Sequence, residues 1–118
     1  MLSPATVAAM THNQLPGISA RWQQEYFPEA SWGLGWGIQG PEKYLGSGIL
    51  SSSEAFGHGG AGGLLLWVDP AYELVGVYFS VLSRQGIPPD VRVAEELVHA
   101  IAGRSDLFVN AATAAVRS

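Results

Sequence analysis

Bulky and bare positions alternate between Trp32 and Ile38: Trp32, Leu34, Trp36 and Ile38 fall on one side of an extended chain, Gly33, Gly35 and Gly37 on the other. This period of two predicts a strand with one bulky and one bare face. Glycine weakens a strand unless a neighbouring backbone or ligand must come close, so the bare face is expected to have a close neighbour. Residues 63–68 and 74–82 are near-continuous runs of branched and aromatic side chains, separated by Asp69-Pro70-Ala71-Tyr72-Glu73. That is the pattern of two antiparallel strands joined by a hairpin connection. Runs apolar on both faces call for cover on both sides, more than the helices visible in the chain supply.

Helical signals stand at the two ends. Ser3 followed by Pro4 has the form of an N-cap and first helical position, because serine offers an acceptor to orphan N–H groups and proline has no N–H to satisfy. A helix over 4–11 follows, ended by Asn13 and Leu15-Pro16-Gly17. Residues 14–31 look irregular. After Pro88-Pro89, Asp90 is placed to cap a helix in which Ala94, Leu97, Val98 and Ile101 recur at helical spacing, with Gly103 as the stop. That stripe is expected to lie across one face of the hairpin. Residues 104–118 are alanine-rich and weakly patterned, a frayed or weakly structured tail. Residues 40–54 are polar and glycine-rich, the composition of a long loop reaching the rim of a site. The expectation is an α+β fold, an antiparallel sheet of three main strands flanked by an N-terminal and a C-terminal helix.

Composition changes this picture in one respect. The 118 residues suffice for one domain or part of one, but only 14% are charged, against about 25% in an average soluble domain. So poorly charged a surface suggests that some of it is normally covered by protein. Net charge is −4 and the six basic residues are dispersed, so phosphates find no cluster of cations and nucleic acid is not an expected partner. Without cysteine there are no disulfides, thiolate metal sites or cysteine nucleophiles, and the compartment stays open. No apolar run approaches the ~20 residues of a membrane span, and Met1-Leu2-Ser3-Pro4 lacks the order of a signal peptide. His12, His58 and His99 form no pair at ligand spacing, so no metal or cofactor is expected. Trp22, Tyr26 and Phe27 are read as packing against the sheet, and Asp69 and Glu73 as solvating a hairpin loop.

Chemistry concentrates in Phe56-Gly57-His58-Gly59-Gly60-Ala61-Gly62-Gly63, directly before the first run of the hairpin. Gly57-x-Gly59-x-x-Gly62 satisfies the letters of a dinucleotide motif, but that motif needs a helix to follow and here a strand does. His-Gly-Gly matches the oxyanion loop of α/β-hydrolase lipases, whose Gly-x-Ser-x-Gly elbow and alternating strands and helices are absent. A plain structural reading also stands: the glycines make a tight approach to a strand, and His58 is a surface or hydrogen-bonded core residue.

In order and spacing, the stretch from Leu2 to about Gly103 resembles the penicillin-recognising serine hydrolases: class C β-lactamases, D-alanyl-D-alanine peptidases and esterases built on their fold. Leu-Ser-Pro-Ala-Thr-Val-Ala-Ala-Met resembles the segment preceding the strand, and Trp32-Gly33-Leu34-Gly35-Trp36 the family's Tyr/Trp-Gly-x-Gly-Trp strand. The 56–63 run resembles its Lys-Thr-Gly-type triplet, replaced in many relatives by His-x-Gly or Trp-Gly-Gly, followed by the hairpin and C-terminal helix. The resemblance implies an incomplete β-lactamase/transpeptidase-like fold over 1–103. It gives His58 the triplet's first place, as a donor to substrate or a member of the proton-transfer network. Gly59 and Gly60 become a bare edge along which substrate lies, and Ala61 a backbone oxyanion donor, a group worth roughly 3 kcal/mol in acyl transfer. Histidine where the family has lysine points toward an ester or peptide rather than a β-lactam.

The family's nucleophile motif, Ser-x-x-Lys, is absent, since Lys43 is the only lysine and has Gly40 three places before it. Tyr-x-Asn is also absent, because Tyr26, Tyr44, Tyr72 and Tyr78 are followed two places on by Pro28, Gly46, Leu74 and Ser80. Both belong to the part that would precede residue 1. Met1 is therefore read as an internal methionine, and the chain as inactive without an N-terminal part of the same domain. In the intact protein the implied partner is a small acyl substrate. The other class left open is a non-catalytic α+β module that pairs by an exposed strand or through the bare glycine face.

Overall fold

A computed structural model describes residues 1–22, 25–40, 48–60, 63–80 and 91–118. Helix α1 spans Pro4–Met10, and Ser3 caps it, its Oγ accepting the Thr6 N–H at 3.1 Å. The helix buries none of its residues. Residues 14–31 are less irregular than expected, because Ala20–Trp22 (β1) and Glu25–Phe27 (β2) form a small antiparallel hairpin. Tyr26 is exposed on it.

The main sheet has the order β3-β4-β5-β6, antiparallel throughout, with β3 at Gly37–Ile38, β4 at Phe56–Gly60, β5 at Leu64–Asp69 and β6 at Leu74–Tyr78. The hairpin runs predicted from hydrophobicity are β5 and β6. Their connection is a 3-10 turn at Pro70–Tyr72, closed by Glu73 in the left-handed region at φ 51°. The glycine-rich run is itself a strand and not merely an approach to one.

Between Trp32 and Ile38 the structure departs from the predicted strand. Trp32 bridges Gly37, the Gly33 N–H donates to the Trp36 carbonyl at 2.8 Å, and Gly35 turns the chain at φ 84°. The alternation of tryptophan and glycine is therefore a tight reversal, and only Gly37–Ile38 joins the sheet. The close neighbour expected of the glycines exists at Gly33 alone, where a Cβ would collide with the Met10 carbonyl oxygen. At Gly35 glycine is needed instead for its positive φ.

Helix α2 runs Val91–Arg117, passing Gly103 without stopping. Interior glycine costs a helix only about 1 kcal/mol. The residues beyond it more than offset this, because Val109 and Thr113 are fully buried and Phe108 and Ala112 pack on the core around Ala55 and Trp67. The stretch read as a tail thus covers the sheet. Asp90 and the side chains of the stripe at Ala94, Leu97, Val98 and Ile101 lie outside the described residues. Trp67 anchors the core at 2% exposure, and Gly76 opposite it is obligatory: a Cβ there would stand 2.6 Å from the indole Cε3 and 3.3 Å from Phe108 Cε1. Burying an indole of this size contributes on the order of 5 kcal/mol. The radius of gyration, 15.0 Å, exceeds the roughly 13.5 Å of a typical single domain of this length.

Candidate functional site

Strand β4 carries the candidate site. Its first two residues pair with β3, Phe56 with Ile38 and Gly57 with Gly37; on the other side the whole strand pairs with β5. From His58 to Gly60 the β3 side of the strand has no ladder partner among the described residues, and all three residues are exposed. The structure brings His58, Gly59 and Gly60 together as an open strand edge. Ala61 lies outside the described residues.

Glycine's place in this edge differs from residue to residue. A Cβ at Gly57 would stand 2.6 Å from the Leu66 carbonyl oxygen, so packing within the chain demands glycine there. At Gly60 it would press on the flexible Leu64 side chain at 3.1 Å. At Gly59 the nearest atom is 3.8 Å away, ordinary contact, so nothing among the described residues requires the strand to be bare at that point. The Gly60 carbonyl accepts the Gly63 N–H at 3.0 Å, and Gly63 has φ 81°.

Both tryptophans of the 32–37 reversal lie over this strand. Trp32 meets the His58 ring edge-on at 6.1 Å between centroids, and Trp36 meets Phe56 at 5.4 Å. Beside them is an open concavity of about 510 Å³, lined by Trp36, His58, Gly59, Leu66, Val77 and Phe79 among others. Among the described residues that line it none is charged, and His58 supplies polar side-chain chemistry. Such a surface suits an uncharged, largely apolar group. Among the described residues no group of three or more histidine, aspartate or glutamate side chains is placed to hold a metal, and no helix is long and apolar enough to cross a membrane.

The polar residues that hold the site strand in place were not legible in the sequence. Asp69, read as a solvating loop residue, is fully buried; its carboxylate accepts the Ser52 N–H at 2.8 Å and the Ser52 hydroxyl at 2.6 Å. Farther along the same loop, Asp106 accepts the Gly48 N–H at 2.9 Å, and Asn110 accepts the Leu50 N–H at 3.0 Å while donating to Asp106 at 3.1 Å. Residues 48–55 are therefore folded back onto α2 and the hairpin, not extended along the rim of the concavity. They deliver Ala55 into the core at 1% exposure and start β4 directly after it. Three serines in succession facing an Asp-Pro strand end is the signal that could have suggested the contact.

The helix-backed antiparallel sheet, preceded by a helix, is an α+β fold whose other face no helix covers among the described residues. Among solved structures the chain is similar to the crystal structure of a β-lactamase from Mycobacterium bovis, with a TM-score of 0.62 and 24% identity over 86% of this chain. The match takes in 38% of that protein, so the chain spans well under half of its length. No family model matches the chain, and no curated protein does.

Proposed function

We propose that this chain is the C-terminal portion of a β-lactamase-like serine hydrolase and forms the substrate edge of its active site. The observation that carries the reading is β4: an exposed strand edge at His58, Gly59 and Gly60, bordering an uncharged concavity, within a fold shared with a β-lactamase. In this reading an acyl substrate lies along the edge as an added strand would, and Gly59, where no contact among the described residues excludes a side chain, keeps the approach clear. His58 donates to the substrate or takes part in moving the proton released when the attacking hydroxyl adds to the carbonyl carbon. The Ala61 N–H is one of two donors to the oxyanion formed in that addition. The hydroxyl itself comes from a complementary part of the fold that carries Ser-x-x-Lys and Tyr-x-Asn. The uncharged lining and the histidine at position 58 favour an ester or peptide over a β-lactam.

The test is activity in two states. Alone, the chain gives no burst and no saturable turnover with p-nitrophenyl butyrate or nitrocefin. Joined to a complementary part bearing both motifs, it turns over the ester with a burst, and His58→Ala lowers kcat/KM by about 100-fold, the scale of a lost proton-transfer group. Turnover by the isolated chain, or an assembled enzyme indifferent to His58, refutes the assignment.

A second reading, a non-catalytic interaction module, draws on the open apolar side of the sheet. It no longer draws on a bare glycine face, because the strand that would have presented one is a reversal.

A further inference from the structure

His58 sits on an open edge with little to hold its ring. Gly57 and Gly59 on either side of it have no side chains, and among the described residues its imidazole makes no hydrogen bond. Leu66, its ladder partner on β5, flanks it on one side. From the β3 side, where Trp32 bridges Gly37, the Trp32 indole meets the imidazole at 71° with the centroids 6.1 Å apart. Trp32 is itself firmly placed. Its carbonyl accepts the Gln14 N–H at 2.7 Å, and the Leu34 N–H two residues on donates to the Met10 carbonyl at 2.9 Å. Ser31, directly before it, is 3% exposed and has φ 46°, a left-handed conformation that residues with a side chain seldom adopt, and its carbonyl accepts the Ile38 N–H at 2.8 Å. A backbone tied down on both sides of Trp32 fixes the direction in which the indole leaves the chain.

We propose that Trp32 is a positioning residue for His58: its indole confines the imidazole to one rotamer at the substrate edge. The inference rests on the hydrolase reading, which gives His58 its chemistry, and deepens it by naming what aims the histidine. An exposed imidazole otherwise samples several staggered χ1 wells, whereas a proton-transfer group works only when its rotamer is locked close to the productive geometry. Trp32 is suited to that task and not simply to filling the core, because it stays 41% exposed while its ring contacts His58. It does not line the concavity, although His58 and Trp36 do, so it acts on a substrate there only through the histidine. The hold depends on the ring. Two aromatic rings meeting at a steep angle have a preferred geometry that an aliphatic side chain of similar bulk lacks, so phenylalanine can replace Trp32 and leucine cannot.

The experiment has two arms, with folding checked by circular dichroism. In the full chain, NMR couplings give the χ1 populations of His58, its resonances being assigned by their loss in His58→Ala. Wild type and Trp32→Phe keep one dominant rotamer, while Trp32→Leu and Trp32→Ala average over several. In the chain joined to a complementary part bearing Ser-x-x-Lys and Tyr-x-Asn, Trp32→Leu lowers kcat on p-nitrophenyl butyrate by about tenfold at unchanged KM, and Trp32→Phe stays within about threefold of wild type. Leu34→Ala, at an exposed position of the same reversal, changes neither readout. If Trp32→Ala does not fold, the Trp32→Leu and Trp32→Phe pair decides. A folded Trp32→Leu chain whose His58 keeps one rotamer, a loss that falls on KM instead of kcat, a Trp32→Phe enzyme as impaired as Trp32→Leu, or a Leu34→Ala enzyme equally impaired overturns the proposal. A joined protein that needs His58 but not Trp32 sinks this inference alone, whereas one indifferent to His58→Ala sinks the hydrolase reading and this inference with it.

Discussion

The two faces of the four-stranded sheet are written by the same strands, yet they differ in what covers them and hence in what they do. Toward α2, Trp67 and the neighbouring Ala55 and Val109 are excluded from water, and Gly76 is small because the indole and Phe108 occupy the space a side chain would need. On the opposite face Leu64, Leu66, Val75 and Val77 are comparably apolar but remain exposed, next to the His58 edge. Hydrophobicity alone therefore does not say which face is core. Burial follows the helix, and α2 reaches only one side.

Substitutions break or sharpen this contrast, and urea unfolding followed by tryptophan fluorescence reads most of them. Trp67→Ala on the covered face removes the largest buried side chain of the core cluster and costs about 3–5 kcal/mol. Asp69→Ala leaves the Ser52 donors without their acceptor and costs about 2–3 kcal/mol, freeing the loop that leads into β4. Gly57→Ala forces a methyl against the Leu66 carbonyl and costs roughly 1–3 kcal/mol. Gly59→Ala, two residues along the same strand, where the new methyl meets only the Leu64 carbonyl oxygen at ordinary distance among the described residues, changes stability by less than about 0.5 kcal/mol. If Gly59→Ala destabilises as much as Gly57→Ala, the edge at Gly59 is packed and not open. Val75→Thr on the uncovered face shifts the unfolding midpoint least, again under about 0.5 kcal/mol, when measured at low micromolar concentration.

Much of the architecture was legible because local rules and tertiary packing agree. Ser3-Pro4 starts a helix, and branched runs either side of Asp69-Pro70 make a hairpin. Where the rules conflict, packing prevails. The alternation at Trp32–Ile38 has the period of a strand, but Gly35's positive φ and the approach of Gly33 to Met10 turn it back, so that both indoles fold over β4. Gly103 has the character of a helix stop, yet the contacts of Phe108, Val109 and Thr113 carry α2 on to Arg117. Asp69 looks like a loop carboxylate because nothing within the hairpin shows that Ser52 will be folded against it.

The sequence by itself determined which segments are apolar, where glycine permits close approach, and that the serine and lysine of the resembled hydrolases are not in this chain, because each is a property of residues one at a time or at short spacing. Only the tertiary structure decided which face of the sheet is covered, which carboxylate is buried, and that the histidine edge stays open. Those are properties of pairs of surfaces far apart in the chain, and their free energies exist only once the segments meet.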